Sequence, residues 1–224
     1  MEKRIVTSQS LEPAESNARD DEWVLVVDDD AMLLGALGNL FRSVGRNVAL
    51  FGSAAELLEY RMPDAPCCLV LDVRLRGPSG LDLQARLGQL GIHVPIIFMT
   101  GHGDIAMTVA AMKAGAEDFM AKPFRDQDLL DAVSAALEKD RRRREGMRRI
   151  QVLRASFQTL TPRESEVMAL AVTGLMNKQI AGEMGISEVT VKIHRGQAMR
   201  KMNARTFADL VLMAQQLGVC HAER

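Results

Sequence analysis

The chain has 224 residues, room for one large or two small domains, and its 47% hydrophobic and 25% charged content is ordinary for a globular protein with a buriable core. No stretch approaches about eighteen uninterrupted apolar residues, and the charged N-terminus with Pro13 lacks a signal-peptide core, which argues against a spanning helix and points to a cytoplasmic protein. The formal charge of -1 hides an asymmetry: residues 1–137 carry 20 acidic against 12 basic side chains, residues 138–154 carry 3 against 8, and residues 155–224 carry 6 against 8.

An acidic front and a basic rear imply two domains with different partners, the rear one suited to nucleic acid. Three cysteines, two of them the neighbours Cys67 and Cys68 and the third Cys220, form neither a disulfide framework nor a zinc spacing and read as small core residues. Residues 1–21 are polar and aperiodic, a disordered leader. Trp23 to Val27 is a short apolar strand ending in Asp28, Asp29 and Asp30, and Met32, Leu33, Leu37, Leu40 and Phe41 then recur at helical spacing.

The alternation repeats. Strands are expected at Asn47 to Phe51, Cys67 to Leu71, Val94 to Met99 and Glu117 to Met120, with helices at Ser53 to Tyr60, Gly80 to Leu90 and Asp104 to Lys113 and a last one after Lys122-Pro123-Phe124. This pattern predicts an α/β doubly wound five-stranded parallel sheet over residues 22–137. Beyond Leu137 the pairs Glu138/Arg142, Asp140/Arg144 and Glu145/Arg149 each put an acid four residues before a base, so 138–157 reads as a helical connector, with Gly146 its weakest point. Met147, Ile150, Leu153 and Phe157 continue an apolar stripe through which two copies could pair.

Residues 158–218 read as a small all-α helix-turn-helix domain, followed by a tail at 219–224. Thr161-Pro-Arg-Glu164 is a capping box with proline at the first helical position, and helices are expected at about 162–173, 177–184, 188–202 and 206–216. Met184-Gly-Ile-Ser187 is the turn between the second and third, with Ser187 as N-cap.

Asp28, Asp29 and Asp72 would meet at the carboxyl ends of adjacent parallel strands, where open α/β sheets bind ligands. Three crowded carboxylates suit a hard divalent cation, magnesium best. Thr100 and Lys122 end the next two strands and bring a hydroxyl and an ammonium to the same rim. A carboxylate nucleophile, a metal and two donors make a phosphoryl-acceptor site. Singly each signal is commonplace, since an acidic run before a helix is often only an N-cap.

In this order and placement, residues 22–137 resemble the receiver domain of two-component response regulators. The resemblance implies magnesium held by Asp28, Asp29, Asp72 and the backbone carbonyl of Arg74. It further implies Asp72 as phosphoacceptor from a sensor histidine kinase, with Thr100, Phe119 and Lys122 as switch threonine, switch aromatic and phosphate-binding lysine. Arg76 stands where the family usually has proline, with Pro78 two residues later. Arg74 and His102 occupy positions where the family varies dephosphorylation rate; His93 and His221 read as structural.

Leu160-Thr-Pro-Arg-Glu, Asn177-Lys-Gln-Ile-Ala and Ile186-Ser-Glu-Val-Thr-Val-Lys-Ile-His194 resemble the LuxR-type helix-turn-helix. With Thr100-Gly-His-Gly-Asp104, the whole resembles the FixJ branch of the NarL/FixJ family. The third helix puts Val191, Ala198 and Met202 on one face and Lys192, Ile193, Gly196 and Arg200 on the other. Lys192, Ile193 and Gly196 are expected to face bases of double-stranded promoter DNA, with Lys178, Thr190, His194, Arg195 and Arg200 mainly on phosphates.

The implied protein is not an enzyme but a phosphorylation-controlled transcription regulator that acts as a homodimer, with no membrane partner and with RNA polymerase as a further candidate partner. Two rivals stay open at this point: a phosphorylation-independent regulator using the receiver as an interaction module, and an Asp-nucleophile phosphatase, which would want a second Asp where Arg74 stands.

Overall fold

The computed structural model describes residues 22–101 and 105–219, the side chains at 105 and 106 excepted. The leader 1–21, His102, Cys220 and His221 lie outside the described residues. The apolar runs become β1 (Trp23–Val27), β2 (Asn47–Phe51), β3 (Cys67–Asp72), β4 (Ile96–Thr100) and β5 (Asp118–Ala121), paired in parallel in the order β2-β1-β3-β4-β5. The chain leaves β1 for one edge and returns to β3 on its other side, so the topological switch point falls between β1 and β3.

Helices α1 (Ala31–Ser43), α2 (Ala54–Glu59), α3 (Gly80–Gln89), α4 (Ile105–Lys113) and α5 (Asp126–Gln158) alternate with the strands. A strand covered on both faces sends alternate residues to opposite cores. Val24, Val26, Cys68, Val70, Ile97 and Met99 accordingly pack with Leu37 and Phe41 of α1 and Leu129, Val133 and Leu137 of α5. Leu25, Val27, Leu69, Leu71 and Phe98 pack on the other side with Leu57 of α2 and Leu83 and Leu87 of α3. Each fully buried aliphatic side chain contributes about 1.5–3 kcal/mol, so the register of β3 is strongly held.

Element ends follow local chemistry. Asp30 caps α1 by accepting from the Met32 and Leu33 amides at 2.9 and 3.2 Å, Ser53 caps α2, and Ser79 with Asp82 forms a capping box on α3. The fourth strand starts at Ile96 rather than at the expected Val94, because Pro95 has no amide hydrogen to donate; its carbonyl instead accepts from Leu69 at 2.9 Å.

Helix α5 runs unbroken from Asp126 to Gln158, through Gly146. The glycine penalty of about 1 kcal/mol is countered by local pairs such as Glu138–Arg142 at 2.7 Å. Beyond Leu137 the helix is still fastened to the sheet: the buried Asp140 carboxylate accepts the Cys67 amide at 3.0 Å, and Arg141 pairs with buried Glu22, which also holds Arg46.

The described residues divide into two compact units, up to Arg142 and from Arg143 onward. In the second, α6 (Pro162–Ala171), α7 (Asn177–Met184), α8 (Glu188–Lys201) and α9 (Phe207–Leu217) enclose Val167, Met168, Ile180, Val191, Ala198, Met202 and Leu210. Thr161 and Glu164 cap α6 reciprocally, with Pro162 at its start. Gly185 closes α7 at a φ of 65°, a left-handed conformation that glycine adopts without penalty, and Ser187 caps α8. Leu153 and Phe157, half of the apolar stripe of the connector, pack into this unit's own core.

Candidate functional site

The first two acidic residues after β1 and the last residue of β3 converge. Asp28, Asp29 and Asp72 each offer an oxygen, and these lie within 4.8 Å of one another. Asp30, the third of the run, turns away to cap α1. Asp28 is buried, with Oδ1 accepting the Asp30 amide at 2.9 Å and Oδ2 accepting the Lys122 ammonium at 2.6 Å. The same ammonium reaches Asp72 Oδ1 at 3.1 Å. Lys122 is held at this rim because its amide donates to the Thr100 carbonyl at 2.7 Å.

Burial pushes the Asp72 carboxyl above its usual range, against the opposing pull of Lys122 and the Arg74 amide and with added repulsion from Asp28. Burial pulls the Lys122 ammonium down, but its hydrogen bonds to Asp28 and Asp72 outweigh that and leave it raised. Asp72 is thus a sheltered carboxylate whose charge is disfavoured by its surroundings and compensated by one lysine.

Thr100 is fully buried at the end of β4. Phe119 is half-buried on β5, its ring 6.4 Å from that of Phe98, one strand over. Arg74 is exposed, its amide directed at Asp72. Two features were missed from sequence. Arg76 pairs with Asp29, Nε to Oδ2 at 2.8 Å. Gly80 sits so close to the end of β3 that a Cβ there would lie 2.4 Å from the Asp72 carbonyl oxygen and 3.1 Å from Phe98.

The donor set fits a magnesium ion. All three groups are hard oxygens of the kind magnesium prefers, and they lie within 4.8 Å of one another.

In the second unit, α8 buries Val191, Ala198 and Met202 and exposes Lys192, Ile193, Gly196 and Arg200, the two faces read from the sequence. Lys178 on α7 is also exposed. His194 is half-buried, and Thr190 is half-buried with its hydroxyl 2.8 Å from that of Ser187. Val189, overlooked at the sequence level, is 68% exposed one turn before Ile193 at 56%, so two branched apolar side chains stand in water on one face. Arg195, expected on phosphates, has its guanidinium 4.0 Å over the Phe207 ring and donates to Asn177 at 3.2 Å, joining α8 to α9 and α7. The spacing could signal basicity there but not an aromatic partner twelve residues on.

The family models agree with both halves: the response regulator receiver domain matches residues 24–134, and the bacterial regulatory proteins of the luxR family match residues 158–214. Nodulation protein W of Bradyrhizobium diazoefficiens is 61% identical over 196 residues, covering 88% of this chain and 86% of that protein. Transcriptional regulatory protein FixJ of Azorhizobium caulinodans is 41% identical, covering 89% and 95%. Among solved structures, the response regulator StyR is 48% identical with a TM-score of 0.79, covering 88% of this chain and 99% of that one. Such relatives are transcriptional regulators, which sets the phosphatase alternative aside. No helix among the described residues is long and apolar enough to cross a membrane. The chain belongs to the transcriptional response regulators that join a receiver domain to a LuxR-type DNA-binding domain, in the FixJ and nodulation protein W group.

Proposed function

We propose that Asp72 is the phosphoacceptor and that Asp28, Asp29, Asp72 and the Arg74 carbonyl hold magnesium beside it. The observation that carries this is the convergence of three carboxylates within 4.8 Å, with one lysine bridging Asp28 and Asp72. An Asp72 oxygen attacks the phosphorus of a kinase phosphohistidine; the new O–P bond forms as the N–P bond breaks, and the electron pair returns to the imidazole. A bound magnesium ion would neutralise charge on the phosphoryl oxygens. Lys122 then turns from Asp72 to the phosphoryl group, and Thr100 moves toward it, opening space for Phe119. This alters the face of α4 and β5 and promotes a homodimer on promoter DNA. The receiver is residues 22–137, the connector 138–157 and the DNA-binding domain 158–218, and the protein works in the cytoplasm.

On α8, Lys192 hydrogen-bonds base edges, and Ile193 with Val189 meets thymine methyl groups in the major groove. Gly196 permits close approach, and Lys178, Thr190, His194 and Arg200 position the helix on phosphates. Treating wild-type protein and Asp72→Asn with a small-molecule phosphodonor and magnesium tests the switch. Only the wild type should gain one phosphoryl group by mass, together with a rise in dimer fraction and operator affinity. No mass gain in the wild type, or an equal gain in both, would remove Asp72 from this role.

A further inference from the structure

Each carboxylate of the acidic cluster already has an internal cation. Lys122 serves Asp28 and Asp72, while the carboxylate of Asp29 is taken by Arg76, which reaches back from the loop after β3. The two cations differ in how firmly they are held. Lys122 is only 23% exposed at its side chain and is fixed through its backbone to Thr100. Arg76 is 88% exposed and pairs with Asp29 at the surface, so its guanidinium can return to water at little cost.

We infer that Arg76 is a built-in competitor for Asp29, which a divalent cation must displace or outweigh to enter the cluster. The inference rests on the magnesium reading above. A guanidinium ion-paired with Asp29 at 2.8 Å repels a cation sharing that carboxylate, and it also engages an oxygen the cation would use. Arg76 therefore sets the cation concentration at which the acceptor site is complete. Because the pair is exposed, its hold is limited to about a two- to fivefold change in dissociation constant. It also fades with ionic strength, as the screening length shrinks from about 10 Å at 0.1 M to about 3 Å at 1 M.

The test titrates the full chain with Mn²⁺ and reads free Mn²⁺ by electron paramagnetic resonance, with no phosphodonor present. Arg76→Gln should bind Mn²⁺ about two- to fivefold more tightly than wild type at low salt, with the gap closing at high salt, and Arg76→Lys should fall between them. In an Asp29→Asn background the Arg76→Gln gain should vanish, since the competitor has lost its target. Equal or weaker binding by Arg76→Gln, or the same gain without Asp29, overturns the inference while leaving the metal site intact. If neither Asp28→Asn nor Asp72→Asn weakens Mn²⁺ binding, the metal reading falls and this inference with it. Arg76 lies outside both cores, so thermal midpoints of its variants should match wild type and exclude misfolding as a cause.

Discussion

The guanidinium of Arg195 lies over the ring of Phe207, 4.0 Å from its centroid, and so joins α8 to the last helix of its unit. A cation over an aromatic face contributes about 0.5–2 kcal/mol, and the hydrogen bond to Asn177 adds to it. Arg195→Ala should therefore lower the stability of the DNA-binding unit by about 1–2 kcal/mol. It should weaken DNA binding on every sequence while leaving the salt slope unchanged. A drop of about one unit in that slope would return Arg195 to the phosphate-contacting group.

Asp72 leads to a stability prediction that runs against intuition. Its carboxyl is raised chiefly by burial, so the folded state holds the proton more tightly than the unfolded chain does. The ionised form thus costs stability at neutral pH, and the cost is relieved as pH falls toward the ordinary aspartate value of about 3.9. Asp72→Asn should raise the thermal midpoint at pH 7, with the gap narrowing in acid. A lower midpoint at pH 7 would mean that the pairing with Lys122 outweighs burial.

Gly80 is the place where α3 touches the end of β3, its amide donating to the Val73 carbonyl at 2.9 Å. The atom nearest an added Cβ is a backbone oxygen, which cannot swing aside as a side-chain tip would. Gly80→Ala should cost about 1–3 kcal/mol and reduce phosphoryl acceptance by displacing Asp72. Wild-type stability together with wild-type phosphorylation would show that the loop absorbs the methyl group.

Glu164 has the opposite sign to Asp72. The Lys201 ammonium at 2.6 Å and the Thr161 amide at 2.8 Å hold its carboxyl below the usual range. The folded unit therefore binds this proton less readily than the unfolded chain. The stabilisation is complete above the ordinary glutamate value of about 4.3 and is lost as pH falls through the lowered folded value. Glu164→Gln should lower the thermal midpoint at pH 7, and the difference should fade below about pH 4; a pH-independent difference would assign the effect to packing instead.

The parallel sheet was legible because strands buried on both faces must be continuously apolar, and Trp23–Val27, Cys67–Asp72 and Ile96–Thr100 are, save for Asp72 and Thr100 at their carboxyl ends. The convergence of Asp28, Asp29 and Asp72 followed from strand ends alone. What escaped were the partnerships of Asp140 and Arg76, which depend on side-chain reach across the fold. Asp140 looked like one member of a solvated acid-base ladder, yet its carboxylate serves an amide 73 residues earlier. Arg76 looked like a displaced turn residue, and only the loop's path shows that it returns to Asp29. Gly146 looked like the weakest point of the connector because propensity counts one residue at a time, whereas the helix continues over a run of local ion pairs.

By hydrogen bonding α5 is one element, but by cooperativity it is two. Leu129, Val133, Ala136, Leu137 and Asp140 are buried in the first unit, and Leu153 and Phe157 pack against the second unit's core, while from Arg141 to Gln158 no side chain is fully buried. Melting of the second unit can therefore unwind the helix back toward Arg141 without exposing Leu137, and the arginine-rich stretch between is where a nicking protease should enter first. The same backbone ladder that joins the halves also forms the natural boundary between their unfolding transitions.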